Sequence, residues 1–291
     1  MPIYQQTYRH YTGTMRRRFR WLIVTEQEIR VLIKSKIFLG LMLIALIHFV
    51  LRVFQVVAYD VIMQDPNNPL TPVLIHIQAI VVNGRMFFDF ISIQAPLVLL
   101  LILYAGAGMI CNDFRHNLME VYFAKPIRWY DYALGKALTL VFLGLLLTAI
   151  PALFLLIQHN LLLPSWDLLR ESTDWAVASI AFSLVLVLPC ALCVLAASSL
   201  MQSQNYAAVA IVMLLVANSL MGGLLAGLLR EPNYAIVAFP AAITRTGQEL
   251  FHDSRLNFTL HWGWALLYVA AVVAGAGWIV FRRVRRTEVA V

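Results

Sequence analysis

Few residues in this chain have both the type and the spacing that chemistry requires. A phosphate-cradling loop needs a glycine, four residues, then Gly-Lys-Ser or Gly-Lys-Thr. The one Gly-Lys pair, Gly135 and Lys136, is followed by Ala137 and has Tyr130 where the first glycine belongs, so no ATP hydrolysis is expected from this chain by itself. Cys190 and Cys193 make a C-x-x-C, but the chain has 3 cysteines in all and no His or Cys cluster accompanies them; on a helix they read as small apolar residues on neighbouring turns. His48 and His159 would hold a haem only if the helices that carry them adjoin, and histidines in a membrane bundle otherwise serve as helix–helix hydrogen bonders. Arg52 lies deep in an apolar stretch, where charge is expensive. It either snorkels to the outer boundary or pairs with Asp89 as an outer gate.

The stretch that stands out is Gly108 to Lys136, a charged run wedged between two apolar segments. A short loop would suffice to reverse the chain. Here Asp113 to Glu120 is expected to form a two-turn helix, Pro126 to stop it, and Tyr130 to Lys136 to restart a helix that enters the next apolar segment.

The elements around that run follow from composition. With 61% hydrophobic and 13% charged residues, a water-soluble globule is excluded, because its surface needs more charge. Apolar runs long enough to span a bilayer occur at Ile37 to Tyr59, Phe90 to Cys111, Ala137 to Gln158, Ala176 to Leu200, Tyr206 to Leu229 and His261 to Phe281. Period-two alternation is absent, so the expectation is an all-α integral membrane protein of six transmembrane helices. Of the 22 Lys and Arg, sixteen lie in the N-terminal tail, the charged run and the C-terminal tail, which puts both termini and the run in the cytoplasm. Trp21, Trp129 and Trp278 fall near the inner boundary and Trp166, Trp175, Trp262 and Trp264 near the outer one. The basic balance is therefore a topology signal, with no nucleic-acid partner implied.

Three regions result: 1–36, a cytoplasmic tail with an interfacial amphipathic helix; 37–281, the membrane domain with its inner loop at 112–136 and an outer segment at 230–260; and 282–291, a basic cytoplasmic tail. No small-residue cleavage site follows the basic tail, so the first span is expected to be retained. Thr25 with Glu28 matches a capping box, and Val24 with Ile29 flanks it, which predicts a helix starting there. Its face of Ile29, Leu32, Ile33 and Ile37 suits the inner headgroup layer or a plain anchored tail. Pro96, Pro151 and Pro189 permit kinks inside spans two, three and four. Gly223 with Gly227 and Ala271 with Gly275 offer faces for close helix approach. The outer segment, apolar from Ala235 to Phe239, could form short re-entrant helices acting as a lid or as plain packing.

The order Gly108, Ile110, Asp113, Leu118, Glu120, Pro126, Ile127, Tyr132, Gly135, Lys136 resembles the cytoplasmic loop of type-2 ABC exporter permeases, with Asn117 where that family usually has Gly. Asn tolerates the left-handed turn such a position needs. The resemblance implies a coupling helix that docks on a separate ATPase subunit, with Asp113, Phe114, Arg115, His116, Asn117, Leu118 and Glu120 as contact surface and Pro126, Tyr132, Gly135 and Lys136 as the loop motif. It further implies two ATPase copies carrying ATP and Mg, a second permease copy, residence in the cell (inner) membrane, and no cofactor on this chain. Two other readings are a membrane anchor or cofactor-carrying subunit of a respiratory or other enzyme complex, and a membrane enzyme acting on lipids. The paired histidines or acid clusters these would need are not visible. Nothing in the spans selects a substrate.

Overall fold

The computed structural model describes residues 19–63, 81–124, 127–163, 166–253 and 261–290. Among them the helices are α1 (Arg20–Leu32), α2 (Lys36–Met63), α3 (Gly84–Gly106), α4 (Cys111–Arg115), α5 (Leu118–Phe123), α6 (Trp129–Leu147), α7 (Ala149–Leu162), α8 (Trp166–Leu200), α9 (Gln204–Leu229), a 3-10 turn (Pro232–Val237), α10 (Phe239–Leu250) and α11 (Trp262–Ala290). Six stretches are long and apolar enough to cross a bilayer: Lys36–Met63, Gly84–Arg115, Trp129–Leu162, Arg170–Leu200, Gln204–Leu229 and Trp262–Thr287. All six expected spans are present, each extended at one or both ends. Continuous apolar runs satisfy every backbone group within the helix, the only open arrangement hydrocarbon permits.

Span four, α8, is the hub, packed against α3, α6, α7, α9, α10 and α11. Spans one and five lie at the periphery; only 11% of the most apolar window of each is buried. Their outward side chains, such as Leu51, Phe54, Val209 and Leu220, are exposed at the surface of the bundle. The third span is broken between α6 and α7 at Thr148, whose φ/ψ is −116/−75. Pro151 explains the break: it has no N–H for the Leu147 carbonyl, and its ring crowds that carbonyl. Thr148 Oγ1 instead donates to Gly144 O at 2.9 Å. Helices α3 and α8 run through Pro96 and Pro189 without interruption.

Two expectations about the ends need correction. Helix α1 starts at Arg20, ahead of Thr25, so Thr25 and Glu28 do not form a capping box; both side chains are drawn to another element, described below. The C-terminal helix does not end at Phe281 but continues through Arg282, Arg283, Arg285 and Arg286, since no Gly or Pro interrupts it and arginines are good helix formers. Among the described residues, a Cβ at Gly223, Gly227 or Gly275 would meet nothing within 4 Å, so those glycines are not sites of close approach between these helices.

At the opposite end from the charged run, the segment that follows span five folds back on the bundle. Helix α10 lies against α8 and α11, and Gly247 comes so close to span four that a Cβ there would be 2.4 Å from the Phe182 ring. Asn218 of span five clamps it, accepting from Phe239 N at 2.6 Å and donating to Val237 O and Tyr268 Oη at 3.0 and 3.2 Å. Phe239, Pro240, Ile243 and Thr244 of α10 roof an apolar cleft of about 530 Å³ between spans two, four and five. Residues 254–260 of the expected segment lie outside the described residues. Aromatic pairs mark both ends of the bundle: Trp129 and Trp278 pack on Phe281 with centroids 4.7 and 5.7 Å away, and Trp175 packs on Phe87 at 5.9 Å.

Candidate functional site: the charged loop and its buried lysine

The loop begins where span two unwinds. Ser198 of α8 accepts hydrogen bonds from the Ile110 and Cys111 amides at 3.0 and 3.1 Å, capping α4 from a different span. Cross-helix capping of this kind satisfies donors that would otherwise be orphaned in a buried place. Helix α4 then runs only to Arg115. Asn117 adopts φ 54, ψ 27, the left-handed region, and α5 starts after it. The expected single helix over Asp113 to Glu120 is therefore two short helices joined by a bend. Asn can occupy that conformation at small cost where most residues cannot, so the turn residue was legible while the continuous helix was not. Lys125 and Pro126 lie outside the described residues; α5 ends at Phe123, and the chain re-enters helix at Trp129, where Asp131 Oδ2 accepts from Arg128 N at 3.3 Å.

Lys136, about two turns into α6, has a side chain only 1% exposed. Its ammonium donates to Glu28 Oε1 at 2.5 Å, Asp113 Oδ2 at 2.8 Å and the Met109 carbonyl at 3.0 Å. All three ammonium protons are thereby used. Tyr132 Oη donates to the same Asp113 oxygen at 2.7 Å, and the rings of Tyr132 and Tyr122 lie 5.2 and 5.8 Å from Lys136 Nζ, within cation–π reach. One cation thus ties α1, α4 and α6 together, with α5 contributing a ring. Thr25 Oγ1 adds a hydrogen bond to Gly135 O at 3.0 Å. Close approach is possible because residue 135 lacks a side chain: a Cβ there would be 2.6 Å from Val24 Cβ and 2.9 Å from Trp21 O.

The expected contact residues now sort by direction. Asp113 is buried in this node, and Phe114 is half-buried under the Arg283 guanidinium, 5.4 Å from its ring. Arg115, His116, Asn117, Leu118 and Glu120 are exposed, Leu118 at 39%, and Val121 beside them at 55%. Of the loop motif, Tyr132, Gly135 and Lys136 belong to the buried node. Sequence reasoning missed Glu28 as a partner of Lys136 because it assigned that acid to a capping box.

At the opposite end, Arg52 donates to Gln55 Oε1 at 2.6 Å; among the described residues it forms no ion pair with Asp89, whose carboxylate stands 4.0 Å from Arg85 Nε. The two expected partners share a cleft of about 570 Å³ with Asn83 and Arg85. His159 Nδ1 is instead joined to Asp60 Oδ1 at 2.7 Å between spans one and three, both residues fully buried. His48 stacks on Phe90, twelve residues before Asp60 and so about 18 Å away along the helix, which rules out a shared haem iron. No group suited to holding a metal ion occurs among the described residues. Asp60→Leu strands the His159 ring, and is expected to cost about 1–3 kcal/mol in thermal unfolding of the detergent-purified protein. Asp60→Leu/His159→Leu should recover part of that loss; strict additivity of the two changes would mean the groups do not interact.

A six-span bundle with a charged, two-piece loop clamped to its third span defines a polytopic membrane component. The family model described as ABC-2 family transporter protein matches residues 22–277, and the chain belongs to that family. It is a multi-pass ABC transporter permease, and membership implies association with an ABC ATPase subunit. No curated protein matches closely enough to stand as a relative.

Proposed function

We propose that this permease transmits the work of ATP hydrolysis, performed by a separate ATPase subunit, into export or conformational work across the cell (inner) membrane. Both termini and the charged loop lie in the cytoplasm on this reading, because the Lys and Arg excess is there. Two ATPase copies serve two permease copies, with ATP and Mg held by the ATPase and no cofactor on this chain. Asn117, Leu118, Glu120 and His116 form the docking surface, and Asp113 is an internal anchor.

The observation that carries the reading is the asymmetry of the loop. Its inner side is fixed to spans two and three and to α1 by a lysine with every proton engaged, while its outer side carries exposed apolar Leu118 and Val121 beside Glu120. A displacement imposed on that outer side reaches two spans without being absorbed in side-chain rearrangement. The bend at Asn117 means that the lever is α4 with its clamp, and α5 is the pad.

The test is cross-linking in membranes that contain both subunits. A cysteine replacing His116 is expected to form a cross-link to the ATPase subunit that grows or fades with nucleotide state, whereas one replacing Glu231 at the opposite end should give none. Cross-linking at Glu231 and not at His116 would reverse the orientation and remove the docking assignment.

A further inference from the structure

The geometry points to an anionic-phospholipid site at the loop end of the bundle, between α4, the start of α9 and the end of α11. A cavity of about 770 Å³ opens there. Arg115 and Arg283 both line it, together with Gln202, Ser203, Asn205 and Tyr206, and no carboxylate does so among the described residues. The N-terminus of α9, a helix of 26 residues, also borders the cavity, through Ser203, Asn205 and Tyr206; Ser203 caps it by accepting from Tyr206 N at 3.5 Å. Two guanidinium groups beside a helix start, with hydroxyl and amide side chains around them, together suit a phosphate.

The occupant is a lipid, because the rim of the cavity is apolar on the side facing away from the bundle. Leu200 is 56% and Tyr206 67% exposed, and from Tyr206 an exposed stripe continues along α9 through Val209, Met213, Val216 and Leu220. That spacing of three and four residues keeps the stripe on one helix face. A free phosphate would gain nothing from it, whereas acyl chains would lie along it with the headgroup at the arginines. Arg283 is held in place by stacking on Phe114, 5.4 Å away, so headgroup occupancy is felt directly by α4. Basic pockets between helices at the cytoplasmic boundary are where anionic headgroups are recognised. The leaflet assignment rests on the topology proposed above; the site does not.

Delipidated permease–ATPase complex, exchanged into nanodiscs of phosphatidylcholine with a minor fraction of phosphatidylglycerol, is the material for the test, and lipids retained after extraction are counted by native mass spectrometry. Phosphatidylglycerol is expected to be enriched over phosphatidylcholine, with about fivefold of the preference lost for each of Arg115→Gln and Arg283→Gln, and most of it restored in Arg115→Lys/Arg283→Lys. Equal retention of the two lipids by the wild-type complex would overturn the proposal. So would competition by millimolar inorganic phosphate alone, or the discovery that both glutamine variants lose the ATPase subunit while keeping their lipid preference, which would make the cavity a protein contact. Labelling of a cysteine at Gln202 by an impermeant reagent, from each side of sealed vesicles, checks the topology separately.

Discussion

Replacing Lys136 with methionine is expected to destabilise the protein by about 3–5 kcal/mol, the cost of leaving buried charges without their partner. Glu28 Oε1 and Asp113 Oδ2 both lie within hydrogen-bonding distance of the ammonium, so its removal leaves two carboxylates close together, with Tyr132 the remaining side-chain donor to Asp113 among the described residues. Repulsion should push α1 off the third span, because Glu28 is its charged tether. Thermal unfolding of the purified complex reads the stability, and proteolysis after Arg30 reads the detachment. Adding Glu28→Gln and Asp113→Asn to the methionine variant should recover more than half of the loss, since the neutral groups no longer repel. A Lys136→Met variant with unchanged melting and an unchanged digestion pattern would show that the node does not hold α1.

Leu118→Arg should leave the fold intact and disconnect the permease from its ATPase. The side chain is 39% exposed and begins α5, whereas the next residue, Met119, is 4% exposed and packs inward. An apolar anchor at the centre of a docking patch is commonly worth 2 kcal/mol or more, about a 30-fold change in affinity. Co-purification of the ATPase subunit is therefore expected to fall by at least about tenfold, with transport-coupled hydrolysis lost in parallel and the melting temperature of the permease itself unchanged. Retained association would remove Leu118 from the docking surface; lost association with a lowered melting temperature would assign it to the fold. The two variants separate the halves of the mechanism: one unfastens the lever from the spans, the other leaves it fastened and ungripped.

Much of the architecture was legible because a bilayer imposes a coarse rule. An apolar run of about 20 residues has few ways to hide its backbone except as a helix, so the six spans are where composition puts them. Pro151 gave the break in span three for an equally local reason, and Asn117 gave the turn. Local signals misled where a distant side chain offered more. Thr25 and Glu28 have the spacing of a capping box, but Glu28 binds a lysine 108 residues away, and a charged partner in a buried place outweighs a cap at a boundary. Arg52 and Asp89 border one cleft, and each also has a neighbour on its own helix, Gln55 and Arg85, which helix geometry puts within reach at low entropic cost.

The sequence by itself determined that this chain crosses a membrane six times, that its positive charge gathers at one end, and that a charged run interrupts the second and third spans. Those properties depend on the order of apolar and polar residues along the chain, which hydrocarbon and water read directly. Only the tertiary structure decided that Lys136 joins α1, α4 and α6, that Ser198 caps a helix belonging to another span, that Asn218 clamps the segment after span five, and that two arginines 168 residues apart in the sequence border one cavity. Each of these depends on which faces of neighbouring helices meet. Within a bilayer that choice is made by close packing and a few interhelical polar bonds, because an apolar face gains little by leaving lipid for protein.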